Sequence, residues 1–463
     1  MQRRLFPVLL ALAFLTACTP AAPTVLPLPS STPNPSASPT STPAVLSSPT
    51  VVPTPIPDVL YVDPEVDLGP VSPYVYGANY SMDGAVPAGM MDDALNSQIT
   101  TLRYPGGAWG DRNDLMYFQY QIDMFMSFCQ QLGAMPTVSV RLLNGTPQAA
   151  ADLVRYINIQ QKYGVVYWSI GNEPNLYASL PNVDYDTVRF NQEWRAIAQA
   201  MKAVDPTIKL LGPELSQWGT DLASTPKDSA GRDWMTEFLK ANGDLVDVVT
   251  VHRYPLYHAD GKSSTVDDLR NNTLEWTDLV TYLRGLVHET TGRDIPLAFT
   301  EVNSDPSNVL GGVASPDSYY NALWYADVLG HLDQQGVFMA NYWVLAGSGG
   351  LGLLYTGQIR PAYYVFRLYS HFGNERVYSS SGVEFVDAYA AKRPDGTLTI
   401  MVINLTDSEQ QVRLQVQGKR LSTAEVWLLD ATHNAEDLGQ QSIQPNGMLV
   451  LPAQSASLYV IAN

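Results

Sequence analysis

Apolar and polar positions alternate along this chain in two distinct rhythms. Almost wholly apolar runs recur through its middle: "YVYGANYS" (Tyr74–Ser81), "TTLRYPGG" (Thr100–Gly107), "MPTVSVRLLN" (Met135–Asn144) and "VVYWSIGNE" (Val165–Glu173). They continue with "IKLLGPELS" (Ile208–Ser216), "VDVVTVHRYP" (Val246–Pro255), "IPLAFTEVNS" (Ile295–Ser304) and "VFMANYWVLA" (Val337–Ala346). Such runs suit strands buried on both faces. Between them, stretches such as "AADLVRYINIQQKYG" and "FNQEWRAIAQAMKAV" space their apolar residues three and four apart, the period of a helix with one buried side. Eight strand–helix repeats over about 300 residues predict an α/β fold, a (β/α)8 TIM barrel over residues 59–373.

After "PAYYVFRLYSHFG" (Pro361–Gly373), read as the last barrel helix, the rhythm changes. Short alternating runs, "LTIMVINLT", "QQVRLQVQG", "AEVWLLD" and "SASLYVIAN", predict a C-terminal antiparallel β-sandwich over residues 374–463. The stretch "VLYVDPEVDLG" ahead of the first barrel strand has the alternation to pair with that sandwich.

The other end of the chain is neither rhythm. "MQRRLFPVLLALAFLTAC" has a basic start and an apolar core too short to span a bilayer, as a signal peptide does. Its "LTAC" resembles the bacterial lipoprotein signal, which implies a signal peptide over residues 1–18, lipidation of Cys18 and a membrane-anchored, extracytoplasmic protein. Residues 19–58 are dense in Pro, Ser and Thr and predict an extended linker reaching up to ~100 Å. The only other cysteine, Cys129, lies in an apolar helical stretch and is expected as a buried core residue. A formal charge of −18 argues against a nucleic-acid partner, and no His/Cys cluster points to a metal or other cofactor.

In this fold the chemistry gathers at the C-terminal ends of the strands. Those ends carry Asn79, Arg103, Arg141, Asn172 and Glu173, Glu214, His252 to Tyr254, Glu301 and Trp343, with Trp109 in the loop after the second strand. Glu173 and Glu301 close strands four and seven, on opposite sides of one bowl. Facing carboxylates are what glycoside hydrolysis needs, one as nucleophile and one as acid and base. "GNEP", "TEVNS" and "LRYPGG" together resemble the retaining glycosidases built on TIM barrels, with features of α-L-arabinofuranosidases, β-xylosidases and β-glucuronidase- and heparanase-like enzymes. The resemblance implies Glu173 as acid/base and Glu301 as nucleophile. It further implies Asn172 on the hydroxyl beside the anomeric carbon, Arg103 supporting the nucleophile, and Tyr254 and His252 contacting it. Asn79, Trp109 and Trp343 are added as sugar-binding candidates, Trp343 as a stacking platform. Glu214 matches none of these motifs and is expected in a loop or subsite role. An Arg at the mouth, Arg141 or Arg253, would matter for a uronate substrate.

The expected protein is therefore a surface-tethered retaining glycosidase acting on a plant-type or microbial glycan, with arabinofuranosides, xylosides or glucuronides as candidate substrates. A non-catalytic carbohydrate-binding lipoprotein and a transglycosylase using the same residues are the alternatives.

Overall fold

The computed structural model describes residues 55–221, 223–257, 262–307, 309–347 and 349–462. The signal segment, Cys18 and nearly all of the linker lie outside them.

The first strand, β1 (Val59–Pro70), is not part of the barrel. The barrel begins with β2 (Tyr74–Asn79) and closes through β3 (Thr101–Tyr104), β4 (Met135–Val140), β5 (Tyr167–Ile170), β6 (Lys209–Leu215), β7 (Val248–Arg253), β8 (Leu297–Val302) and β9 (Met339–Tyr342). All eight are parallel neighbours, and each falls inside one of the eight apolar runs. Aromatic rings plug the end where the strands start. Tyr74, Tyr167 and Phe338 meet with ring centroids 5.2–5.9 Å apart, packed on Leu211, Val248, Ala298 and Met339. The polar strand ends at the opposite mouth are thereby the accessible ones.

Of the register irregularities in the barrel, two bear directly on the site. Between β6 and β7, Pro213 faces Thr250 and Leu215 faces Val251, so Glu214 is an extra residue. Between β7 and β8, Val251 faces Phe299 and His252 faces Glu301, so Thr300 is extra. A bulge of this kind re-aims side chains that plain alternation would send elsewhere.

Beyond the small hairpin of β10 (Leu354–Tyr355) and β11 (Gln358–Ile359) and the helix Pro361–Tyr369, eight strands follow: β12 (Glu375–Ser381), β13 (Val386–Lys392), β14 (Leu398–Asn404), β15 (Gln410–Val416), β16 (Thr423–Leu429), β17 (Asn434–Ser442), β18 (Met448–Leu451) and β19 (Ser455–Ile461). With β1 they form one sheet, ordered β17-β16-β19-β14-β13-β12-β1-β15-β18, in which the β1–β15 pair is parallel. Leu60 and Val62 of β1, Val412 and Leu414 of β15 and Ile400 and Val402 of β14 share one core, so the sheet's two ends enclose an apolar layer as in a sandwich.

The opposite face of β13, β14 and β19 covers the barrel. There Tyr389, Met401 and Leu458 join the barrel's core beside the helix Tyr319–Gln334. That helix is buried on nearly every side, which is why its apolar residues show no single stripe. Gly330 is required in it, because a Cβ there would sit 2.1 Å from the Tyr389 ring.

Candidate active site

Arg103 stands at the centre of the barrel mouth with no exposed surface. β3 ends one residue later, so its side chain projects up through the middle of the bowl. Nη1 donates to Glu301 Oε1 at 2.8 Å and Asn79 Oδ1 at 2.9 Å, and Nη2 donates to Asn172 Oδ1 at 2.8 Å. Nη2 also lies 3.5 Å from Glu214 Oε2. One guanidinium thus ties together residues of five strand ends, a geometry its planar fork allows and an ammonium does not.

Glu301 sits in β8 with its other oxygen, Oε2, accepting from the Tyr254 hydroxyl at 2.7 Å. Burial, with Glu301 and Glu173 adding negative charge, holds the Tyr254 phenol well above its ordinary range, so it remains a donor. Glu173 follows β5 in the left-handed region, φ 51°, and its side chain keeps 20% of its surface open. A carboxylate oxygen of Glu173 lies within 4.8 Å of one on Glu301, and both carboxylates approach His252. Its Nδ1 is 3.1 Å from Glu173 Oε1 and 3.6 Å from Glu301 Oε2, while Nε2 is 2.9 Å from Glu214 Oε2.

That arrangement sets the charge on the imidazole. Both ring nitrogens face carboxylates, which accept but do not donate when ionised, so the ring is assigned as a doubly protonated cation. Burial alone would lower its pKa, but Glu301, Glu173 and Glu214 more than offset that and raise it to about 9. Burial likewise raises the carboxyl of Glu173, yet the His252 bond and charge leave it below its ordinary value. With its nitrogens committed as donors, His252 is no metal ligand in this charge state.

Glu214 is the residue that sequence reasoning misplaced. It is fully buried beneath the pair, where Ser169 and Thr300 donate hydroxyls to it alongside His252 and Arg103. Burial would raise its pKa, but Arg103, His252 and Ser169 bring it down to about 2. The bulge at Glu214 (φ 59°) is what places it there, and no motif around "GPELSQW" announces a bulge. Asp111 was not singled out either. Buried at the start of the helix Trp109–Arg112, it accepts from the backbone N–H of Leu142 and Asn172 and from the Tyr177 hydroxyl. It thereby locks the end of β4 to the turn that carries Asn172 and Glu173. An acidic residue eight positions after Arg103 is the sole signal the chain offers for it.

The remaining candidates fall in different places. Asn79 is buried under Arg103, its amide donating to the Thr300 carbonyl at 2.9 Å. Trp343, half-buried just past β9, lies over the glycines of "RYPGG": a Cβ on Gly107 would come within 2.5 Å of its ring. Gly107 also has φ +72°, so this position needs glycine twice over. Trp109 packs edge-on against Phe118 at 4.8 Å. Arg253 turns away to pair with Glu275 at 2.7 Å, and Arg141 Nε donates to the Leu143 carbonyl at 2.8 Å.

Residues 94–416 match the family of glycosyl hydrolases family 39. Residues 384–453 match the C-terminal immunoglobulin-like domain of D-apionate lactonase. Among curated proteins the chain resembles the heparanase of Gallus gallus, 23% identical over 312 residues that cover 63% of this chain and 55% of that protein. The chain thus spans little more than half the length of that relative. Among solved structures it resembles the α-L-arabinofuranosidase of Thermotoga maritima (TM-score 0.70, 18% identity, covering 87% of this chain and 99% of that one). It also resembles CelM2, a bifunctional glucanase-xylanase from a metagenome library (TM-score 0.69, 20% identity, covering 87% and 98%). At these identities the structural likeness speaks for the fold.

Proposed function

From the premise that this chain belongs to glycosyl hydrolases family 39, we propose that it hydrolyses glycosidic bonds with retention of configuration. The observation that carries the reading is the pair of facing carboxylates, with oxygens of Glu173 and Glu301 within 4.8 Å at the open end of the barrel. Carboxylates this close suit a covalent intermediate, whereas inversion needs about 6.5–9.5 Å to fit a water between the groups.

In the first step Glu301 attacks the anomeric carbon and a C–O bond to its carboxylate forms. The glycosidic C–O bond breaks, and the leaving oxygen takes a proton from Glu173. In the second step Glu173 removes a proton from water, whose oxygen attacks the same carbon and restores the Glu301 carboxylate. Arg103 and Tyr254 keep one lone pair of each Glu301 oxygen occupied, orienting the other for attack. Because His252 holds a proton 3.1 Å from Glu173, the two act as one acid: the carboxyl that protonates the leaving oxygen draws on the imidazolium behind it.

This predicts a pH signature. The pKa of His252 in the folded protein, about 9, lies above the ordinary 6.5, so the charge is fully present below 6.5 and lost as pH rises through about 9. The alkaline limb of kcat/KM is expected there. In Glu214→Gln one of the three carboxylates around the ring is neutralised, and the limb moves down by about 1–3 units. An unmoved limb would remove His252 from the proton path.

For substrate class, both arginines near the mouth are already engaged, Arg253 with Glu275 and Arg141 with a carbonyl. This favours a neutral glycan, of arabinofuranosyl or xylosyl type, over a glucuronide. The test is a panel of aryl α-L-arabinofuranoside, β-D-xyloside, β-D-glucoside and β-D-glucuronide together with xylan, arabinan and β-glucan. Hydrolysis of a neutral class with a silent glucuronide is expected; a glucuronide as the best substrate would overturn the assignment. Glycan binding without turnover on any of them would overturn the hydrolase reading itself.

The leader sequence supports attachment to a membrane through Cys18, with the proline-rich linker holding the enzyme away from the surface. Metabolic labelling with radioactive palmitate should mark the wild-type chain and not Cys18→Ala. Equal labelling of both would place the lipid elsewhere.

A further inference from the structure

A second cluster of ligating side chains, sharing no residue with the catalytic one, lies where the barrel meets the sheet. Asp327 and His331 stand one turn apart on the helix Tyr319–Gln334, and Asp387 faces them from β13. Each offers one ligand-type atom, and the three atoms lie within 4.8 Å of one another. We propose that Asp327, His331 and Asp387 bind a divalent first-row cation, best matched by zinc, that fastens the sheet to the barrel.

Three observations support a cation here rather than a closed hydrogen-bond network. Asp327 has no exposed side-chain surface, and its Oδ1 accepts from the Tyr389 hydroxyl at 2.8 Å. Its Oδ2 and the Nε2 of His331 are both buried without a hydrogen-bond partner, yet they face each other at 3.9 Å. That is too long for a hydrogen bond. Two ligands held about 2.0–2.2 Å from one tetrahedral ion stand about 3.3–3.6 Å apart, so a shift of a few tenths of an ångström would bring this pair into range.

The other side of the ring points the same way. His331 Nδ1 lies 3.1 Å from the Thr277 hydroxyl. Assigning the proton to Nδ1 leaves the Nε2 lone pair aimed into the cluster, with Thr277 in the outer-shell role that orients metal-binding histidines. Charge agrees as well. Two carboxylates and a neutral imidazole carry −2, which one divalent ion cancels. One nitrogen and two carboxylate oxygens form a donor set that suits zinc, with water as the fourth ligand.

The experiment uses the full chain, stripped with EDTA and dialysed, then titrated with zinc chloride by calorimetry and followed by thermal melting. We expect one equivalent of zinc bound and a melting midpoint several degrees higher with zinc than without. The same binding should persist in Glu301→Ala, which separates this cluster from the catalytic one. In Asp387→Asn, and independently in His331→Gln, the equivalent and the melting shift should both disappear while the protein remains folded by circular dichroism. The proposal is overturned if the stripped wild type binds no zinc, or if both variants bind it as the wild type does. It is equally overturned if Asp387→Asn melts higher than the wild type and zinc has no effect on either, since the cluster would then be a proton-sharing pair.

Discussion

Replacing Glu301 with Ala is expected to abolish turnover, with kcat falling by on the order of 10⁵–10⁶, as when another enzyme's covalent nucleophile is removed. Folding should survive the change, because Arg103 keeps Asn79, Asn172 and Glu214 as partners. The cavity left above the barrel invites a small external nucleophile. Added azide should therefore restore cleavage of an activated aryl glycoside and give the glycosyl azide of opposite anomeric configuration to the substrate. A product of the same configuration, or residual activity within tenfold of wild type, would remove Glu301 from the nucleophile's role. Glu173→Ala offers the complementary result, slowing poor leaving groups by about 10²–10⁴ while sparing activated ones.

The second large effect concerns stability as much as rate. Arg103→Met leaves Glu214 fully buried with its guanidinium gone and Glu301 without its partner at 2.8 Å. Breaking a buried ion pair from one side costs roughly 3–5 kcal/mol, because the remaining charges lose the guanidinium with no water to replace it, keeping only His252 and hydroxyl donors. The urea midpoint should fall accordingly, and activity with it. Arg103→Lys should recover part of the stability through its charge and little of the activity, since one ammonium cannot hold both Glu301 and Asn172 in register. A Met variant as stable as the wild type would mean that the carboxylates take up protons at no cost, and the charge network described here would fail.

Why Arg103 could be anticipated and Glu214 could not is a matter of motif and period. Arg103, His252 and Tyr254 sit at the ends of almost wholly apolar runs, in segments that resemble the motifs of retaining glycosidases. Glu214 also sits at a strand end, yet the extra residue in β6 turns it inward under the pair instead of leaving it in a loop. Period-two reasoning has no term for an inserted residue. Asp111 escaped for another reason: its partners, the N–H groups of Leu142 and Asn172, are 31 and 61 residues away. Its role exists only once β4 and β5 are neighbours.

The primary sequence was enough to determine the barrel, since eight buried parallel strands demand eight apolar runs and their helices demand a second period. It was enough also for the sheet that follows; Glu173 and Glu301 were singled out among three strand-end glutamates by the likeness of "GNEP" and "TEVNS" to retaining glycosidases. The alternation of β1 already suited it to that sheet, but tertiary structure alone decided that its partners there are β12 and β15, at a separation of more than 300 residues. It alone decided which ends of the strands are plugged by aromatic rings and which are open. It alone brought a third carboxylate beneath His252, turning an ordinary imidazole into a cation. Local period reports what each segment must bury; the charge on a buried group depends on what distant segments place within about 4 Å of it.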